Sequence, residues 1–306
     1  MKGEIKMKKI ALLILVVMMM GAMMLVGCTG EEPENSGDAK ETGKPANPDV
    51  DFSKMLQVKG SDTIVNLGQR WAESFMDKHS EANVAVTGGG SGTGIAALIN
   101  GTADIAMASR AMRDKEIEQA KDNGVEAKEF VVGRDGIAVV VSNDNPVSDL
   151  TMADLKKIFT GEVTNWKNFG GNDADITIYS RDSSSGTFVF FQELVLDEEE
   201  YAKHAMLMPS TVGIVEGIKQ DVNGIGYIGL GYLTDEIKAV GVKKDDTSKG
   251  VLPSLETVND DTYPISRPLF FYVAGEPKGA VAVFMEFIMS TEGQAIVKDL
   301  GFIPVK

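Results

Sequence analysis

The chain has 306 residues, 43% of them hydrophobic, with 45 acidic and 30 basic side chains for a net charge of −15. That balance argues against a nucleic-acid partner, which is held by clustered Lys and Arg, and no such cluster stands in the part read as folded. A small anion is not excluded. Inside a dry site, local N–H groups and one or two arginines set the potential, while surface carboxylates are screened over about 8 to 10 Å.

Lys2, Lys6, Lys8 and Lys9 precede an uncharged run from Ile10 to Met24 that ends at Leu25-Val26-Gly27-Cys28. This is the layout of a signal peptide over residues 1–27, and the run is short of the ~20 residues of a membrane span. Cys28 is the single cysteine, so no disulfide can form within the chain. Leu-Val-Gly-Cys resembles the lipobox of exported lipoproteins, which would make Cys28 the lipid-carrying first residue; an unpaired structural thiol is the alternative. Residues 28–51 hold almost nothing apolar and read as a disordered, lipid-anchored tether. The remaining residues, about 255, suffice for two compact lobes or one large α/β domain.

In chain order, Leu56-Gln57-Val58 reads as a strand leading into Gly60-Ser61-Asp62-Thr63, after which Ile64, Leu67, Trp71 and Phe75 share one helical face. Val84-Ala85-Val86 leads likewise into the glycine run from Thr87 to Gly94, with Ser91 inside it, and then into a short helix from Ile95. Ala103 to Arg110 reads as a buried strand ending in a polar pair, and Asp114 to Lys121 as a charged, solvated helix that carries no functional signal. Gly133 to Val141 is the strongest strand signal and marks a crossover into a middle section. There, a helix at Met152 to Phe159 precedes Ile176-Thr177-Ile178-Tyr179, a strand that enters the loop Ser180 to Thr187; Phe188, Phe191 and Val195 then repeat at helical spacing. A helix around Val212 to Lys219 and a glycine-interrupted strand from Asn223 to Gly229 follow, and a second crossover fits Tyr263 to Val273. Helices at Gly279 to Met289 and around Gln294 to Leu300 end the chain. The pattern is α/β, with residues 52–137 plus 268–306 forming one lobe, residues 138–267 the other, and the ligand cleft between them.

The same chemistry thus occurs at three strand-to-helix turns, which in an open α/β sheet lie at the carboxyl ends of strands, where ligands bind. Helix N-termini offer unpartnered N–H groups and partial positive charge, and Arg181 adds a planar fork able to bind two oxygens of one anion. Ser185, Gly186 and Thr187 supply N–H groups and hydroxyls; capping alone would account for the same residues. Catalysis finds little support. The chain has two histidines, His79 and His204, both read as surface residues remote in sequence from the glycine turns; no serine elbow with a base and no P-loop lysine is present. A zinc site lacks ligands, although carboxylates alone could hold Ca²⁺ or Mg²⁺.

Gly60-Ser61-Asp62-Thr63, Gly88 to Ile95, Ile105 to Arg110, Leu155 to Trp166, Arg181 with Ser185-Gly186-Thr187, and Ile225-Gly226-Tyr227 occur in the order seen in phosphate-binding proteins of phosphate ABC importers. The resemblance covers about residues 55 to 306. It implies a type II periplasmic-binding-protein fold, two α/β lobes joined by a two-segment hinge and closing around inorganic phosphate. It further implies a monomeric, cofactor-free receptor, not an enzyme, lipid-anchored through Cys28 at the outer face of the cytoplasmic membrane and delivering phosphate to an ABC permease. By similarity the ligand residues would be Ser61, Asp62, Thr63, Ile64 (through its N–H), Ser91, Arg110, Arg181, Ser185, Gly186 and Thr187. One departure stands out: Arg110 occupies the place of an aspartate that accepts a phosphate proton in well-known members. Asp62 is then the first candidate acceptor, with a helix cap as its alternative role, and Asp135 the second. A receptor for sulfate, molybdate or another oxyanion shares the fold and most of the cradle, and an enzyme acting on a phosphorylated compound could use the same one.

Overall fold

The computed structural model describes residues 50–305, so the signal segment, Cys28 and the tether up to residue 49 lie outside the described residues. Strand β1 (Leu56–Gly60) pairs in parallel with β2 (Val84–Thr87) and β3 (Ile105–Ala108), and β11 (Ser266–Ala274) runs antiparallel between β3 and the 16-residue β4 (Ala127–Ser142). The sheet continues from β4 through β8 (Gly224–Gly229) and β6 (Thr177–Arg181) to β7 (Met206–Met208), while β9 (Ile237–Ala239) pairs with β4, and β10 (Gly241–Lys243) with β5 (Asp149–Thr151). β4 changes partner within one residue: Gly136 still pairs with Ser266 of β11, whereas Ile137 pairs with Gly229 of β8.

Both faces of this sheet are covered, which explains why its strands read as nearly continuous apolar runs. In β3, Ile105 and Met107 enter one core while Ala106 and Ala108 enter another on the opposite face. In β4, Ile137, Val139 and Val141 face one way and Ala138 and Val140 the other. The first core joins β1 and helix α1 (Val65–Lys78) to residues near the carboxyl end: Trp71 meets Phe271 edge-on at 5.4 Å and Phe75 meets Phe284 at 5.0 Å. The middle section has its own core, in which the Phe191 and Tyr227 rings stack at 4.2 Å.

Glycines permit the close approaches at the first turns. A Cβ on Gly94 would stand 2.3 Å from the Lys59 carbonyl oxygen, and Gly60, at φ +147°, has the Met107 carbonyl in the place of a side chain. Helix boundaries follow caps more closely than apolar spacing. The last helix, expected from about Gln294, begins at Thr291 because the Ser290 hydroxyl accepts the Gly293 N–H at 3.1 Å. β4 starts six residues ahead of the expected Gly133, in a segment whose Lys128 and Glu129 hide the apolar alternation. His79 also departs from expectation: it is half-buried, its ring 4.5 Å from that of Phe75 and 5.4 Å from that of Phe52, whereas His204 is exposed.

Candidate functional site

The parallel strands β1, β2 and β3 place their carboxyl ends on one edge, and there the first two turns meet the end of β3. Ser61 Oγ donates to Ser109 Oγ at 2.9 Å, and the Ser109 N–H donates to Ser91 Oγ at 3.0 Å. Ser91 opens helix α2 (Ser91–Ile99), and Gly90 before it, at φ +91°, lies against Ser184. The third turn arrives from β6. Ser185 caps helix α5 (Gly186–Val195; α3 is Asp114–Asp122 and α4 Met152–Thr160), its hydroxyl accepting the N–H groups of Thr187 and Phe188 at 3.2 and 3.4 Å.

These turns interlock. The Thr63 and Thr187 hydroxyls are 2.8 Å apart, the Gly92 N–H donates to Ser184 O at 3.0 Å, and a Cβ on Gly186 would lie 2.2 Å from Ser91 Oγ. Ser61, Thr63, Ser91, Ser109, Ser185 and Thr187 are all buried. Ile64 is buried beside them, its N–H donated to the Ser61 carbonyl at 3.3 Å, so the expected N–H contribution is already used locally.

Arg181 differs from the expected free fork. Its Nη2 donates to Asp62 Oδ2 at 2.7 Å and to Pro209 O at 3.1 Å, its Nη1 to Thr211 Oγ1 at 3.2 Å, and its Nε to Met208 O at 3.2 Å. The residue is 1% exposed. A carboxylate and three neutral oxygens therefore fix the guanidinium in place, leaving part of Nη1 uncommitted. Asp62 makes no cap bond; its other oxygen accepts the Gly89 N–H at 3.1 Å, which ties the first turn to the second, while Tyr232 donates to its carbonyl at 2.7 Å. Burial, reinforced by the Asp62 charge, pushes the Tyr232 hydroxyl up to about 12, so it stays a donor at neutral pH.

Arg110 stands beside the second turn, its Nη2 3.7 Å from where a Gly92 Cβ would be. Its two Nη groups each bond Glu116 at 2.7 Å and Nη1 also donates to the Ala111 carbonyl at 2.8 Å, while its buried Nε has no partner among the described residues. Helix α3 thus turns Glu116 inward to Arg110 where the sequence suggested only a solvated face. Burial opposes the Glu116 charge, but the bonds from Arg110 and the Arg113 N–H hold its carboxyl below the usual value.

A further pair was not foreseen as a unit. Arg267 of β11 and Asp135 of β4 face each other in register, and Nη2 of the former donates to Oδ2 of the latter at 3.1 Å. Each is at most 1% exposed. Burial raises the Asp135 carboxyl pKa despite the opposing Arg267 charge, and lowers that of the guanidinium. Asp135 was visible in the sequence as a carboxylate inside an apolar strand; Arg267, a cation inside Ser266 to Val273, carried the same signal.

The profile of the PBP superfamily domain matches residues 32–292. The phosphate-binding protein PstS of Staphylococcus epidermidis is 31% identical over 293 residues, covering 93% of this chain and 86% of its own length. The chain belongs to the PstS phosphate-binding protein family. The PstS protein of Pseudomonas aeruginosa is 32% identical over 270 residues, covering 83% of this chain and 84% of its own. Among solved structures, a phosphate ABC transporter substrate-binding protein of Clostridium perfringens with bound phosphate superposes with a TM-score of 0.76 at 34% identity, over 83% of this chain and all of that one. The fold is that of the periplasmic-binding proteins, as the resemblance to phosphate-binding proteins of ABC importers implied.

Proposed function

We infer that this PstS-family chain is the receptor of a phosphate ABC importer, binding inorganic phosphate and presenting it to a membrane permease. The observation that carries this reading is the convergence of the three turns and Arg181 in one buried cluster of hydroxyls and N–H groups, on a chain 34% identical to a relative solved with phosphate. Ser61, Thr63, Ser91, Ser185, Gly186 and Thr187 form the cradle, Arg181 carries the charge that binds it, and Asp62 fixes Arg181. No catalytic residue is assigned, and neither histidine belongs to the cluster. Calorimetric titration of the chain from Asp51 onward should show saturable phosphate binding, little sulfate binding, and a melting temperature that rises with phosphate concentration. Saturation by sulfate or molybdate without a phosphate response would replace the ligand assignment.

Residues 52–137 with 268–306 and residues 138–267 are proposed as two lobes, with β4 and β11 as the hinge segments. The change of partner in β4 at Gly136 and Ile137 supports this division. The receptor is placed at the outer face of the cytoplasmic membrane, held by acyl chains on Cys28. Cys28→Ser should leave phosphate affinity unchanged and release the protein into the soluble fraction, because the sequence of the tether holds almost no apolar residues to retain it. Full retention on membranes would make the leading segment a signal anchor instead.

A further inference from the structure

We propose that Arg267 is a second anion-binding cation of the cradle, held ready by Asp135; the proposal rests on the phosphate-receptor reading and deepens it. Three observations lead to it. Arg267 Nη2 stands 3.0 Å from Thr187 Oγ1 and 3.3 Å from Thr63 Oγ1, the hydroxyls that meet from the third and first turns. The guanidinium is therefore in contact with the cradle from both sides.

The donors of that guanidinium are also unevenly used. Asp135 and the two threonines crowd one nitrogen, whereas Nε and Nη1 are buried without any hydrogen-bond partner among the described residues. Arginine keeps its charge and all its N–H groups at any working pH, so these donors cannot be silenced by losing a proton. Phe190, whose ring centre is 5.4 Å from Cζ, covers a face of the group but cannot satisfy N–H bonds that lie in its plane. A buried cation with orphaned donors calls for acceptor atoms, and an oxyanion supplies several at once.

Position supplies the third. Asp135 and Arg267 are register partners on the strands proposed as the hinge, next to the point where β4 changes partner, and Asp135 Oδ1 accepts the Leu230 N–H at 3.1 Å just beyond β8. Arg267 also lines a cavity of about 620 Å³ together with Arg110, whose buried Nε likewise has no partner among the described residues. An oxyanion at Arg267 would thus touch the hinge as well as both sets of turns. Asp135 keeps the guanidinium tolerable before the ligand arrives and offsets part of its charge afterwards.

The test uses the chain from Asp51 onward, with wild-type phosphate binding as the reference; if the wild type itself does not bind phosphate, the receptor reading fails before Arg267 is at issue. Arg267→Met alone strands a buried carboxylate and endangers folding, so the pair is removed together in Asp135→Asn/Arg267→Met. That variant should melt within a few degrees of wild type and bind phosphate at least about 100-fold more weakly. Phosphate affinity within about threefold of wild type in the folded double variant would overturn the proposal and leave the pair a structural pin. A second measurement separates ligand contact from support. In Asp135→Asn the guanidinium loses its neutralising partner, so sulfate, an obligate dianion, should bind about tenfold more tightly than to wild type. Unchanged or weaker sulfate binding there counts against the proposal, and decides the matter if the double variant does not fold.

Discussion

Arg181→Ala should weaken phosphate binding at least about a thousandfold, roughly 4 kcal/mol, while the protein still folds. The loss exceeds that of one charge-assisted bond because the substitution also strips Asp62 of its cation. The Asp62 side chain is 15% exposed and lies 2.7 Å from Arg181, so the variant would confront an incoming anion with an unpaired carboxylate. Arg181→Lys should recover little. The guanidinium reaches Met208 O, Thr211 Oγ1, Pro209 O and Asp62 from three different nitrogens, and a single ammonium cannot span that set. Calorimetry on both variants checks the expectation, and phosphate affinity within tenfold of wild type in Arg181→Ala would remove Arg181 from the site.

Gly186→Ala should cost at least about 100-fold in phosphate affinity with little change in the melting temperature measured without phosphate. A methyl group there would stand 2.2 Å from Ser91 Oγ and 2.7 Å from Ser109 Oγ, both on buried serines that cannot retreat. In the proposed two-lobe arrangement, opening the hinge would relieve the clash, so the substitution should penalise the interlocked arrangement rather than the fold. Gly92→Ala provides a graded comparison: its nearest contact would be Ser184 O at 3.3 Å, and its effect should be several-fold smaller. Equal losses in the two variants would show that the close approach at Gly186 is not what matters.

The strand-to-helix turns were legible in the sequence because their signals are local: apolar alternation, then Gly and Ser, then a 3.6-residue period. Ser185 and Thr187 could be placed at a helix start from four neighbouring residues. What could not be read was partnership over distance. Arg181 looked like a free fork because Asp62 is 119 positions away, and the pairing of Arg267 with Asp135, 132 positions earlier, could not be read because only the register of β11 against β4 brings the two together. Glu116 was lost for another reason: in a helix as charged as Asp114–Asp122, nothing marks the one carboxylate that turns inward to Arg110. His79 shows the same limit, since charged neighbours in sequence concealed aromatic neighbours in space.

The first core is assembled from both ends of the chain, and this sets an order of events during synthesis. The Trp71 indole N–H donates to Gly293 O at 2.7 Å, across 222 positions, and Phe75 packs on Phe284. Helix α1, which follows directly on the first turn, therefore has no completed core to pack into until Phe284 and Gly293 have left the ribosome. The middle section, whose strands and helices find most of their partners among themselves, can form earlier. Contacts of such long separation close slowly because the loop entropy is lost before the packing is gained. A nascent chain of this design stays incompletely folded until its last helices emerge, and a truncation that removed Gly279–Ile288 and Thr291–Asp299 would unfold the amino-terminal turns although every cradle residue were still present.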